Sequence, residues 1–297
     1  MTLLVLLLTS IIGGSNAALV KFTVGQFSPV ILVIFRSALA ALMILPFFYF
    51  TKSSFKIKAK KAYLLLANLL FAANWLLFAT GIQYTSVIMS QIIYIPTALI
   101  VAILGYLFLK EKLSQNQVFG LVLTLIGMSV LIWGSTRSQD ILSFGKPLGN
   151  FLIILGLLSW SIYTIVSRKI SSIYTPLTIT FYNFLISAIF VSLLIPFKLG
   201  NKDFVLADIT IGGVLGLVSI AFFNSVLFFW LYQWVIGKTS AFISSLILYV
   251  TPIIATFTGI IFFGEKLTAS LVLASALIMI GVFLATAYQA LKINLKV

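Results

Sequence analysis

Residues 262–268 read FFGEKLT, and residues 108–114 read FLKEKLS. Each is a short charged knot between two long apolar runs. The chain has only five acidic residues, yet Glu111 and Glu265 occupy the same place in nearly the same heptapeptide, 154 positions apart. Sliding the chain by that offset brings Thr85-Ser86 onto Thr239-Ser240, Ser90 onto Ser244, Gly105 onto Gly259 and Gly127 onto Gly281. Residues 85–133 then give 15 identities in 49 positions without a gap. A composition rich in Leu, Ile and Phe produces some matches by chance, but it does not account for the matched Gly, Glu, Lys and Thr. The front of each half matches more weakly, at an offset of 147, with Lys21 meeting Arg168 and Pro29 meeting Pro176.

The residues around the knots set the class. The chain is 62% hydrophobic and 8% charged, with a mean hydropathy of +1.21. Soluble domains carry roughly 25% charged residues, so this one cannot cover a water-facing surface. A polytopic membrane protein follows, and 297 residues suit a single bundle. With no Cys and no His, disulfides, thiolate metal sites and the usual general base are excluded. The net charge of +14 belongs to lysines flanking membrane spans rather than to a nucleic-acid surface. The apolar run at the N-terminus has no preceding Lys or Arg. It therefore reads as a first span, not as a signal peptide.

Breaks at charge, Gly and Pro divide the sequence into ten apolar segments: 2–20, 29–50, 62–83, 86–109, 115–134, 147–167, 176–197, 208–236, 239–263 and 268–290. Each approaches the roughly 20 residues that a helix needs to cross the hydrocarbon. With ten spans both termini share a side, and that side carries twelve Lys and Arg against six opposite. The positive-inside rule then places the termini in the cytoplasm. The bias leans on the KSSFKIKAKK loop at 52–61.

Because five is odd, the second copy must enter the membrane upside down. The expected fold is an all-α integral membrane protein with ten transmembrane helices in a 5+5 inverted repeat: residues 1–135, then 147–290, then a cytoplasmic tail at 291–297. Inverted repeats support alternating access to a midplane site. Residues 249–284, YVTPIIATFTGIIFFGEKLTASLVLASALIMIGVFL, resemble the EamA domain of the drug/metabolite transporter superfamily. The likeness covers both halves. It rests on Pro252 in the ninth span, Gly264-Glu265-Lys266-Leu267-Thr268 in the link and Gly281 in the tenth. The first copy departs from that pattern: Pro96 lies two residues before the slot that Pro252 fills, and Lys110 replaces the Gly. The resemblance implies ten helices, termini inside, and passage of small metabolites, often amino acids or related compounds.

Within the spans, an ionisable residue is a functional candidate by default. Arg36 is one, about 10 Å deep at 1.5 Å per residue from Pro29. Its partners are carbonyls, amides or an arriving anion, or else its long stem snorkels to the interface. No carboxylate is expected inside a span, so no proton relay is foreseen. Glu265 is expected in water at a helix end, as part of a turn that marks a boundary, with a gating contact as the alternative. The remaining candidate lining is polar and aromatic: Asn16; Asn74, Trp75 and Phe78; Gln91 and Tyr94; Trp160 and Tyr163; Asn224, Phe228 and Tyr232; and Tyr249. Pairs at i, i+4 share a helix face, and interhelical packing is the competing role for each. Pro96 and Pro252 are candidate hinges. Nothing in the sequence suggests a catalytic residue, a cofactor or a metal.

The expected partners are a small-molecule substrate and the lipid bilayer, without nucleic acid. The oligomeric state is open, and a monomer is compatible with the sequence. The function expected is a carrier that moves a small amphipathic metabolite, as export, through a bacterial-type inner membrane. A channel-like facilitator and a lipid-handling or structural membrane protein are the alternatives.

Overall fold

The computed structural model describes residues 2–51, 55–57, 59–109, 115–137, 144–197, 209–231 and 241–294. Among these, every regular element is helical. In chain order they are α1 (Thr2–Val24), α2 (Pro29–Thr51), α3 (Lys61–Ile82), α4 (Val87–Tyr94), α5 (Thr97–Leu109) and α6 (Gln115–Arg137). Then come α7 (Pro147–Ile170), α8 (Pro176–Ser192), a 3-10 turn at Ile195–Phe197, and α9 (Ile211–Ser219), which runs into a π-helical stretch at Ile220–Leu227. The described chain ends with α10 (Ala241–Phe263) and α11 (Ala269–Asn294).

Among the described residues, six stretches are long and apolar enough to cross a membrane, and four further apolar helices of 10–17 residues accompany them. The polarity is arranged inside out. Phe50, Ile211 and Phe262 are 79%, 82% and 73% exposed, whereas Asn68, Asn150, Asn183 and Ser187 are buried. Such an outer surface is unfavourable in water. In hydrocarbon the arrangement that keeps apolar side chains on the outside and polar ones in the interior is the favourable one. The chain is a multi-pass membrane protein.

Helix starts follow from local chemistry. Pro29 opens α2 after Ser28, whose Oγ accepts from the Ile31 amide at 3.4 Å. Pro176 opens α8 after Thr175, whose Oγ1 accepts from the Thr178 amide at 3.2 Å. In both, a ring that fixes φ stands beside a hydroxyl that satisfies a free amide. Thr268 caps α11 by accepting from the Leu271 amide at 3.3 Å. Its counterpart Ser114 lies outside the described residues.

The fourth apolar segment departs from expectation. The sequence predicts one helix over 86–109, but the chain breaks at Ile95-Pro96 into α4 and α5. Pro96 has no amide hydrogen to continue the ladder. Pro252, by contrast, lies inside an unbroken α10, as Pro46 does inside α2. The eighth segment is also irregular, because its middle widens into the π stretch.

Packing is mostly between helices distant in sequence. α6 lies along α11, α3 along α7, α2 along α8 and α1 along α10, while α3 also meets α8, α2 meets the π stretch, and α4 and α5 meet α7. Reciprocal glycines bring α6 and α11 together. A Cβ on Gly127 would sit 3.1 Å from the Ala274 carbonyl oxygen, and one on Gly281 would sit 2.6 Å from that of Gly120.

Candidate functional site

Near the middle of the bundle is a cavity of about 200 Å³. Gly13, Asn16 and Val20 of α1 line it, with Leu32, Val33 and Arg36 of α2. Asn74, Trp75, Phe78 and Ala79 of α3, Gln91 and Tyr94 of α4, and Trp160 of α7 form further walls. Asn224, Phe228 and Phe229, at the end of the π stretch, complete it.

Arg36 organises one wall. Its Nε donates to Ser225 Oγ at 3.0 Å, and its Nη2 donates to Asn16 Oδ1 at 3.2 Å and to the Asn224 carbonyl at 3.3 Å. The guanidinium carbon lies 3.9 Å from the centre of the Trp75 ring, which is cation–π geometry. The residue is 6% exposed, so it does not snorkel. Two successive residues of the π stretch, Asn224 and Ser225, both reach it. Such widened turns recur at functional sites.

Opposite Arg36, Asn74 Nδ2 donates to Tyr94 Oη at 2.6 Å and to the Gly156 carbonyl at 2.8 Å. Phe78 meets the Tyr94 ring edge to face, with centroids 5.5 Å apart. Asn224 Nδ2 donates to the Ile12 carbonyl and, at 3.4 Å, to Ser15 Oγ. Its Oδ1 is buried with no hydrogen-bond partner among the described residues.

Two different clusters flank the cavity. Toward the face that holds the end of α1, Glu265 is 2% exposed, contrary to the expectation of a water-facing helix end. Its Oε1 accepts from Lys21 Nζ at 2.9 Å and from the Val87 amide at 2.6 Å. Its Oε2 accepts from the Ile88 amide at 2.9 Å. The carboxylate thus satisfies free donors at the start of α4, where the helix dipole also favours negative charge. Gly259 makes the room, since a Cβ there would lie 2.6 Å from Glu265 Oε2. Toward the other face, Phe71, Phe184 and Phe229 form a triangle with every pair of centroids 6.0 Å apart. Beyond it is a second cavity of about 210 Å³, between the end of α2 and the start of α8, and Phe229 lines both.

Ten of the thirteen sequence candidates therefore share one cavity, and one described candidate does not. Tyr163 is behind the wall: its ring packs on Trp160 at 4.9 Å and its Oη accepts from Asn183 Nδ2 at 2.7 Å. Tyr232 and the side chain of Tyr249 lie outside the described residues. The sequence reading missed Phe229 and the aliphatic Val20, Leu32 and Val33, because an apolar residue in an apolar run carries no mark of which way it faces. Among the described residues no cluster of His, Cys, Asp or Glu could hold a metal ion.

The model of the EamA-like transporter family matches residues 1–133 and 147–287. The chain belongs to that family. Among its relatives, the Bacillus subtilis (strain 168) protein "Uncharacterized transporter YyaM" is 31% identical over 284 residues, covering 93% of this chain and 90% of the relative. An "Uncharacterized transporter" of Archaeoglobus fulgidus is 23% identical over 283 residues, covering 95% and 97%. One solved crystal structure superposes with a TM-score of 0.66 at 17% identity, covering 99% of this chain and 98% of the other. At that identity the likeness concerns the fold alone. This EamA-like chain is a membrane transporter.

Proposed function

We propose that the chain is an alternating-access carrier for a small amphipathic metabolite, an amino acid or related compound, working in export from the cytoplasm. The observation that carries the reading is the central cavity, polar on some walls and aromatic on others, set between the Glu265 contact and the Phe71, Phe184 and Phe229 rings. In this reading the two clusters act as barriers, which a pore open from face to face would not need. The cavity exceeds the ~150 Å³ void that holds a benzene but falls below the ~300 Å³ of the smaller drug-sized pockets. It suits a compact solute rather than a lipid. Aromatic rings offer stacking surface, and the Asn, Gln and Tyr groups supply orientation.

The packing pairs support a ten-span 5+5 inverted repeat, with units at 1–135 and 147–290. Exchanging the two units maps α2 with α8, and α6 with α11, onto themselves. It maps α1 with α10 onto α7 with α4 and α5. Two units with interchangeable contacts can adopt each other's conformations, which moves the opening from one face to the other. The breaks at Pro96 and the π stretch, together with Pro252, supply positions where helices can bend. The lysines near the start of α3 support cytoplasmic termini in a bacterial-type inner membrane.

The test is counterflow in proteoliposomes, with the cargo first found by screening which metabolites leave overexpressing cells. Vesicles preloaded with unlabelled cargo should transiently accumulate labelled cargo above its equilibrium level, and Asn224→Ala should reduce the overshoot several-fold at equal membrane expression. Flux without overshoot would instead identify a channel. Strict drive by a proton gradient, lost in Glu265→Gln, would contradict the absence of a proton relay.

A further inference from the structure

The offsets of 147 and 154 that relate the two halves in sequence also relate two clusters of buried side chains. At 147, Asn16 corresponds to Tyr163 and Arg36 to Asn183. Arg36 Nη2 donates to Asn16 Oδ1 at 3.2 Å, and Asn183 Nδ2 donates to Tyr163 Oη at 2.7 Å. The same two places in each half are thus joined by a hydrogen bond that runs the same way. Beside the Tyr163 pair are three rings. Phe71 lies 5.5 Å from Tyr163, and Phe71, Phe184 and Phe229 are each 6.0 Å from the other two. The corresponding residues beside Arg36 are Ser225, Ser37 and Trp75.

Size and polarity are exchanged together between the two clusters. Two of the three phenylalanine places hold serine, while the Asn183 place holds the larger Arg36. The guanidinium donates from Nε to Ser225 Oγ at 3.0 Å and from Nη2 to the Asn224 carbonyl at 3.3 Å, and it lies 3.9 Å from the centre of the Trp75 ring. Ser225 spends its own proton on the Ile220 carbonyl at 3.2 Å, which fixes its oxygen as an acceptor. Both clusters bridge the halves: Arg36 and Trp75 of the first reach Asn224 and Ser225 of the second, and Phe71 of the first meets Phe184 and Phe229 of the second. Trp75 touches both, with its ring 4.7 Å from Phe71 and 5.6 Å from Phe184.

We infer that Arg36 is a positioning residue of transport, a bolt that holds the two halves together on the side of the cavity nearer Lys21, as the Phe71–Phe184–Phe229 triangle holds them on the other. Arg36 stands seven residues after Pro29, at the end of α2 that follows the Lys21 end of α1. One side is shut by charge-assisted hydrogen bonds and the other by ring contact. Arg36 acts through the helices it joins and not as a ligand of the cargo. The inference rests on the inverted-repeat carrier reading and adds what keeps each side shut. A buried guanidinium that loses an acceptor is costly, whereas on an opened and wetted side water supplies the acceptor. Removing the Ser225 hydroxyl therefore destabilises only the shut form of that side.

The test uses the full-length chain, which has no native cysteine, in membrane vesicles of each orientation. Val33 and Thr180 correspond at 147 and serve as paired thiol reporters. Both are buried, Val33 in the lining of the central cavity and Thr180 in that of the second. Ser225→Ala removes an acceptor of the bolt, and Phe71→Leu loosens the triangle at the corresponding place. Ser225→Ala should speed impermeant maleimide labelling of Val33→Cys from the Lys21 face by about tenfold, the range of one hydrogen bond to a charged group. It should slow labelling of Thr180→Cys from the opposite face. Phe71→Leu should do the reverse at both reporters. A merely structural role would move both reporters in one direction.

The inference is overturned if the two reporters respond in the same direction to either substitution, or if neither responds. Counterflow by the native chain with unmoved reporters would sink the bolt and leave the carrier reading intact. Opposed reporter shifts without counterflow would do the reverse.

Discussion

Gly156 of α7 has no side chain, and Tyr94 uses the space. A Cβ there would come within 3.0 Å of Tyr94 Oη, which also accepts from Asn74. Gly156→Ala should press the phenol toward the cavity and shorten it by about one methyl group. Discrimination worth one methylene is roughly 10- to 200-fold in a tight pocket. The KM for the largest accepted cargo should therefore rise at least about tenfold, with the smallest unaffected; a uniform loss across sizes would indicate misfolding instead. The polar half of this site was readable from the sequence, because Asn, Gln and Arg in apolar spans are costly and must turn inward. The i, i+4 spacing also put Asn74 beside Phe78 and Asn224 beside Phe228 correctly. The same spacing failed for Tyr163, whose hydroxyl found Asn183 on α8, a partner that no periodicity within α7 reveals.

At the scale of elements, the Lys21–Glu265 contact joins the ends of α1 and α10 to the start of α4. Substituting Glu265→Gln keeps the shape but removes the ion pair and weakens the acceptor for two amides. The native chain has no cysteine, so one introduced thiol reports alone. Val20 is 1% exposed and lines the cavity. Val20→Cys should label slowly with a membrane-impermeant maleimide added from the Lys21 face, and several-fold faster when combined with Glu265→Gln. Equal rates would show that this contact does not close the face. The sequence disclosed the two GEKL-like knots and offered a gating contact only as the alternative to a solvated turn. Glu265 meets residues 177 and 178 positions away, and a charged link looks the same whether it is solvated or grips another helix. The break at Pro96 was only half legible, since Pro46 and Pro252 sit in unbroken helices. Whether a proline interrupts depends on what packs against the freed carbonyl.

For the whole molecule, apolar runs bounded by charge, Gly and Pro located the described helices to within a few residues, except that the fourth run holds both α4 and α5. What hydropathy could not supply is how the helices pair, since Leu against lipid and Leu against protein look alike. The glycines that bring α6 to α11 carried that information in part, and the offset of 154 marks both Gly127 and Gly281.

If the proposed carrier opens at the Glu265 contact, that contact must part. Two carboxylate oxygens, an ammonium group and the amides of Val87 and Ile88 all lose partners together. Unmet groups of this kind cost about 1–3 kcal/mol each, and more when charged. Only water can replace the lost partners, so parting and wetting are one event, and several molecules must enter from that side. The turnover of such a machine responds to the chemical activity of water. Raising the osmolality on the Lys21 face with a polymer too large to enter should slow exchange in proportion to the water drawn in. Phe71, Phe184 and Phe229, at the other barrier, have only ring faces to expose, and the same polymer on that face should have far less effect.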